Sequence, residues 1–155
     1  MAVERPGRPY SAFNFLVAVE GISSPESFQA GFQEASGLGV EITVQEYRPG
    51  NHSSNATIKV TGTTKFSDVT LKRGLMGFRD LNDWVGQVRD GSQSALHNVT
   101  IQLLNEERTE PVMTWRLINA RPIKYTGPAF NGKGTDVAIE ELVLAVERVT
   151  FEDEA

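Results

Sequence analysis

The run Gly127-Pro-Ala-Phe-Asn-Gly132-Lys133-Gly134-Thr135 gathers glycines, a lysine and a hydroxyl in one short stretch. A phosphate-binding loop uses these groups. Glycines let backbone N–H groups approach the phosphates, the lysine neutralises them, and a Ser or Thr immediately after the lysine holds Mg²⁺. Here Gly134 occupies that last position and Thr135 comes one residue late. Pro128 removes a backbone donor from the cradle. A nucleotide-binding enzyme built on Gly127–Thr135 stays as an alternative; a glycine-rich connection between two strands is the favoured reading.

The other reactive side chains offer less. The two histidines, His52 and His97, lie in loop-like or strand-edge contexts, with no spacing that suits a triad or a metal site. There is no cysteine, which excludes disulfides, thiolate zinc sites and cysteine nucleophiles. Glu140 and Glu141 are adjacent; on a strand they point to opposite faces, so one is solvated and the other pairs with a base such as Arg73 or Lys124. Lys72-Arg73, near a strand end, is expected to form ion pairs. Trp84 and Trp115 fall on apolar periodic faces and read as core. No catalytic residue, cofactor or metal is expected.

The elements that position these groups are mostly strands. Alternation is clear over Phe13–Val19, Val40–Gln45, Thr57–Thr61, Val69–Lys72 and Val99–Leu103, and a further strand carries Trp115 and Leu117. Pro122 is expected to limit how far that strand can serve as a central one. Phe28–Ser36 reads as a strand or a short helix, and Gly37-Leu-Gly39 as a turn. Helical spacing is firm only over about 78–90, where Phe78, Leu81, Trp84, Val85 and Val88 share a face and Gly91 offers a C-terminal cap. The closing run Val137–Val149 carries both helical propensity and strand alternation; a closing strand fits the preceding elements better.

With 155 residues, 39% hydrophobic and 23% charged, the chain reads as a flexible arm over 1–10 and a single domain over 11–155. A net charge of −5 argues against nucleic acid as the main partner. The N-terminal run has no apolar h-region, and the apolar runs are too short to span a bilayer, so cytoplasmic synthesis without stable membrane association is expected. The sequons at Asn51, Asn55 and Asn98 then read as chance.

The order of segments is more distinctive than any one of them. Glu46-Tyr47-Arg48 is followed by Val69-Thr-Leu-Lys72-Arg73-Gly74, then by a helix bearing Trp84, by Asn98-Val-Thr-Ile101 and by Trp115. Next come Asn119-Ala-Arg-Pro-Ile-Lys124-Tyr125-Thr-Gly127-Pro128 and Val137-Ala-Ile139-Glu140-x-Leu-x-Leu144. Taken together, from Phe13 to about Phe151, they resemble the inner tube proteins of contractile phage tails and of phage-derived contractile injection systems. Two departures are local: Arg121 stands where many relatives carry an aromatic, and Glu106–Glu110 where many have a glycine turn.

The resemblance implies a mainly β fold, a small β-barrel of two packed antiparallel sheets with one flanking helix. It implies hexameric rings stacked into a hollow tube, with a sheath, baseplate and spike proteins as partners and DNA or an effector protein in the lumen. The polar loop Arg48–Asn55, with Asn51, His52, Ser53 and Ser54, is then expected to reach a neighbouring subunit or ring. Glu41, Thr43 and Gln45, and Thr57, Lys59 and Thr61, are candidates for the lumen wall. A monomeric β-barrel binding module is a second alternative.

Overall fold

Alternating apolar and polar residues put most of the chain into strands, and the computed structural model describes residues 8–20, 31–51, 53–75 and 79–153. In chain order these form β1 (Phe15–Val19), β2 (Glu34–Ser36), β3 (Val40–Tyr47), β4 (Ile58–Phe66), β5 (Val69–Gly74), helix α1 (Asp80–Arg89), β6 (His97–Leu104), β7 (Pro111–Thr126), β8 (Ile139–Ala145) and β9 (Arg148–Asp153). The expected arm lies outside the described residues over 1–7, as do Phe28, His52 and Phe78.

Strand pairing is antiparallel and runs β1-β6-β7-β8-β5-β2, with β9 added to β7 and β3-β4 forming a separate hairpin. β7 is long because it serves two sheets. Its first half pairs with β6 and β9, and its second half, Arg121–Thr126, pairs with β8. The changeover is at Asn119, whose φ is 52°. Register against β6 passes from Val99↔Leu117 to His97↔Ala120, so Ile118 and Asn119 together oppose Asn98 as a β-bulge. The Asn119 N–H donates to Asn98 Oδ1 (3.1 Å) and its Nδ2 to Glu147 Oε2 (2.8 Å). Asparagine is one of the few side-chain-bearing residues that enter this left-handed region readily.

The core lies between the two sheets. Val17, Val19, Val99, Ile101 and Leu117 come from one, and Val69, Leu71, Leu142 and Leu144 from the other. Helix α1 adds Leu81 and Trp84. The Trp84 Nε1–H donates to the Ala95 carbonyl (2.9 Å), and its ring meets His97 edge-on with centroids 5.3 Å apart. Gly91, at φ 93°, closes the helix with its N–H on the Val88 carbonyl (3.1 Å).

Two expectations need correction, and a third is met: beyond Pro122, β7 continues to Thr126 but no longer as a central strand. Among the described residues that half of β7 has only β8 beside it, and a proline without an N–H is tolerated at such an edge, here next to a register shift. The closing run is not one strand: β8 ends at Ala145, and the chain turns back through Glu147 so that β9 lies along β7. Val40, Ile42 and Val44 alternate as on a half-buried strand, yet all three stay exposed.

Candidate assembly surface and a buried ion-pair node

On β5 the inward row is Val69, Leu71, Arg73; on β8 it is Leu144, Leu142, Glu140. Each row is apolar until its last member, and Arg73 and Glu140 are register partners. Facing each other on the core side, they form an ion pair, Arg73 Nε to Glu140 Oε1 at 2.5 Å, with both side chains about 2% exposed. Asp80, the first residue of α1, accepts from Arg73 Nη2 at 2.6 Å, and the Tyr125 hydroxyl donates to Glu140 Oε2 at 2.7 Å. The Phe32 ring lies 5.5 Å from the guanidinium carbon. The node joins β5, β7, β8 and the helix start.

Burial works against the charged guanidinium, but hydrogen bonds to Asp80 and Glu140, reinforced by their negative charge, outweigh it and raise the Arg73 pKa. Burial also pushes the Tyr125 phenol up, and its hydrogen bond to Glu140 and that residue's charge add to the effect. Sequence reasoning had one of Glu140 and Glu141 pairing with a base such as Arg73 or Lys124; register selects Glu140 with Arg73, because Lys124 opposes Val143. Asp80 and Phe32 carried no signal, since nothing in their local sequence ties them to β5. On the other face of β5, Lys72 is opposite both Glu141 and Glu34, and pairs with Glu34 at 3.3 Å.

The hairpin β3–β4 is the other conspicuous feature. It hydrogen-bonds to no third strand among the described residues, and β3 is exposed along its whole length. Its register shifts by one residue where Ile42↔Thr64 gives way to Val44↔Thr61, so Gly62 and Thr63 share the place opposite Thr43. Gly62 fits here because an added Cβ would lie 3.0 Å from the Thr43 carbonyl oxygen. Opposed residues of an antiparallel pair share a face. One face therefore carries Val40, Phe66, Ile42, Thr64, Val44, Thr61, Glu46 and Lys59, while the other carries Glu41, Lys65, Gln45, Val60, Tyr47 and Ile58. Alternation adds Thr43 to the second. The two candidate polar sets consequently stand on opposite sides: Glu41, Thr43 and Gln45 on one, Lys59 and Thr61 on the other, with Thr57 just before the strand.

The connection between β3 and β4 holds Arg48, Asn51, Ser53, Ser54 and Asn55, all exposed. The Ala56 N–H donates to Ser54 Oγ (3.1 Å). The glycine-rich run Gly127–Thr135 joins β7 to β8 and leads into a strand rather than a helix. Gly127, Gly132 and Gly134 are not in the left-handed region, and Lys133 N–H is taken by Asn131 Oδ1 (3.0 Å). A phosphate cradle needs backbone donors facing outward from a helix start, and a strand follows this loop instead. Of the other signature residues, Trp115 leans on Phe151 at a centroid distance of 5.3 Å, and Gly74 opposes Ile139 where β5 meets β8. Among the described residues, no group of three or more His, Asp or Glu is placed to hold a metal ion.

The fold is thus a mainly β body locked by a buried ion-pair node, with an exposed hairpin beside it. The family model for the T4-like virus tail tube protein gp19 matches residues 11–150. The chain belongs to that family, and it is a structural tail tube subunit. It is 29% identical to a chain in the sheath–tube complex of an extracellular contractile injection system, PVC, in its extended state, covering 96% of this chain and 94% of that one with a TM-score of 0.80. It is 30% identical to a chain of the PVC sheath/tube terminator, covering 96% and 99% at a TM-score of 0.80. Hcp1 from Flavobacterium johnsoniae, 9% identical over 90% and 94% at a TM-score of 0.52, shares the fold. No curated protein sequence matches significantly.

Proposed function

We propose that the chain forms hexameric rings that stack head to tail into a hollow tube, and that it performs no catalysis. The observation that carries this reading is the hairpin β3–β4, apolar and exposed in a chain of the tail tube family. A two-stranded ribbon without a packed face is marginal alone, and a neighbouring subunit supplies the missing cover. A sheath and a baseplate are the outer partners, as in the sheath–tube and baseplate complexes of the similar chains. Helix α1 turns towards the sheath, the lumen passes effector protein or DNA, and assembly takes place in the cytoplasm.

The loop Arg48–Asn55 reaches the next subunit or ring, because it is long, polar and free of core residues. Negative-stain microscopy of the purified chain at high concentration tests the reading through rings or tubes. Deletion of 49–55 is expected to leave the fold and stop tube growth. Tubes of normal length from that deletion exclude the loop from stacking.

A further inference from the structure

Asn131-Gly132 is the one asparagine–glycine pair in the chain; every other asparagine precedes a residue that carries a side chain. At such a pair the backbone can react with its own side chain, because glycine puts no Cβ beside the attacking nitrogen. The turn Asn131–Gly134 sets out the reacting groups. The Gly134 N–H donates to the Asn131 backbone carbonyl (3.0 Å), and the Lys133 N–H donates to Asn131 Oδ1 (3.0 Å). This second bond folds the side-chain carbonyl back along the main chain as an Asx-turn. It also aims a donor at the oxygen on which negative charge develops when Cγ is attacked. The nucleophile is available as well. Among the described residues the Gly132 N–H has no hydrogen-bond partner, and Asn131 and Gly132 are both exposed.

We infer that Asn131 is a site of spontaneous deamidation, with water as the co-reactant. The Gly132 nitrogen gives its proton to solvent hydroxide and bonds to Asn131 Cγ. The Cγ–Nδ2 bond breaks, and the amide leaves as ammonia after taking a proton from water, which regenerates the hydroxide. Water then opens the five-membered imide. Opening at Cγ gives aspartate; opening at the backbone carbonyl gives isoaspartate, whose main chain runs through Cβ and Cγ. Nothing is oxidised or reduced. The step needs no second copy of the chain, so it stands apart from assembly.

The fold separates this pair from its nearest chemical counterpart. Asp90-Gly91 can form the same imide, but there the Gly91 N–H is held on the Val88 carbonyl (3.1 Å) and the Asp90 N–H on the Gly86 carbonyl (2.9 Å). The end of α1 must open before Gly91 can attack, and local opening costs free energy. Asn131 needs no such opening. Between Gly127 and Val137 the charges of Lys133 and Asp136 cancel, so one new carboxylate gives this loop a net charge of −1 and takes the chain from −5 to −6.

The purified chain, folded or in urea, is aged in mildly alkaline buffer. Ion exchange follows the charge, and peptide mapping with an isoaspartate-specific methyltransferase locates the change. The folded sample should accumulate an acidic species modified at Asn131, at a rate within about threefold of the urea sample. Asp90 should isomerise in urea alone. Gly132→Ala supplies the control: its Cβ meets nothing within 4 Å and the position is outside the left-handed region, so the thermal midpoint should not move. Its rate should fall about tenfold, equivalent to about 1.4 kcal/mol on the barrier. Asn131 left intact in the folded sample overturns the inference. So does an acidic species carried by another asparagine, or a Gly132→Ala chain that ages as fast as wild type. None of these outcomes touches the ring-and-tube reading, because no measurement involves assembly.

Discussion

Arg73 and Glu140 show how one residue changes the character of an apolar row. Two charges at about 2% exposure are costly to bury, and they persist because each has more than one partner. Arg73→Met leaves Glu140 and Asp80 without their cation and is expected to cost about 3–5 kcal/mol of stability. Adding Glu140→Leu should recover part of it. Urea unfolding of the two variants checks this, and equal midpoints for wild type and Arg73→Met would reject a structural role for the node. Tyr125 adds a pH dependence. Its folded pKa lies above its ordinary value of 10.0, so the folded state holds the phenolic proton more tightly. This contribution is fully present below pH 10 and is lost as pH rises through the raised folded value. Ultraviolet titration should show one phenol ionising later than the rest, and Tyr125→Phe should remove that component.

At the scale of elements, β7 holds the fold together because it changes sheet without ending. The bend at Asn119 combines a left-handed residue with hydrogen bonds to Asn98 and Glu147. Asn119→Ala keeps neither the side-chain bond nor the tolerance for φ 52° and is expected to cost about 1–3 kcal/mol. Asn119→Gly relieves the backbone and loses only the bond to Glu147, so its thermal midpoint should fall between alanine and wild type. A glycine variant no better than alanine would remove backbone strain from the account. The turn at Glu106–Glu110 follows related logic. Arg108 has φ 60°, a left-handed conformation that favours glycine. Here Asn105 secures the turn instead, its Oδ1 accepting from Thr109 N–H at 2.9 Å.

At the scale of the whole molecule, the body is complete and the hairpin is not. The Glu41, Thr43 and Gln45 side is polar over its near half, which makes it the better candidate for a hydrated lumen wall. The absence of cysteine makes single-site labelling clean. Thr43→Cys is expected to react with a bulky maleimide in monomers and to be protected in tubes. Equal labelling in both states would reject that placement. Thr61→Cys, on the opposite side, reports whether protection belongs to one face or to the whole hairpin.

Local chemistry alone determined most of the strands, the helix around Trp84 and the turn glycines, because alternation, helical spacing and left-handed backbone are properties of neighbouring residues. It narrowed the ion pair to one of Glu140 and Glu141 with a base such as Arg73 or Lys124, and strand register then selected Glu140 and Arg73. The break between β8 and β9 was less legible: Val149 and Phe151 alternate, but no glycine or proline marks the turn at Glu147. Tertiary structure decided the rest. Register placed Asp80 beside Arg73, carried β7 past Pro122 along an open edge, and put the two polar sets of the hairpin on opposite sides. Alternation gives the period of a strand but not its partner, and a one-residue bulge reverses every side chain beyond it.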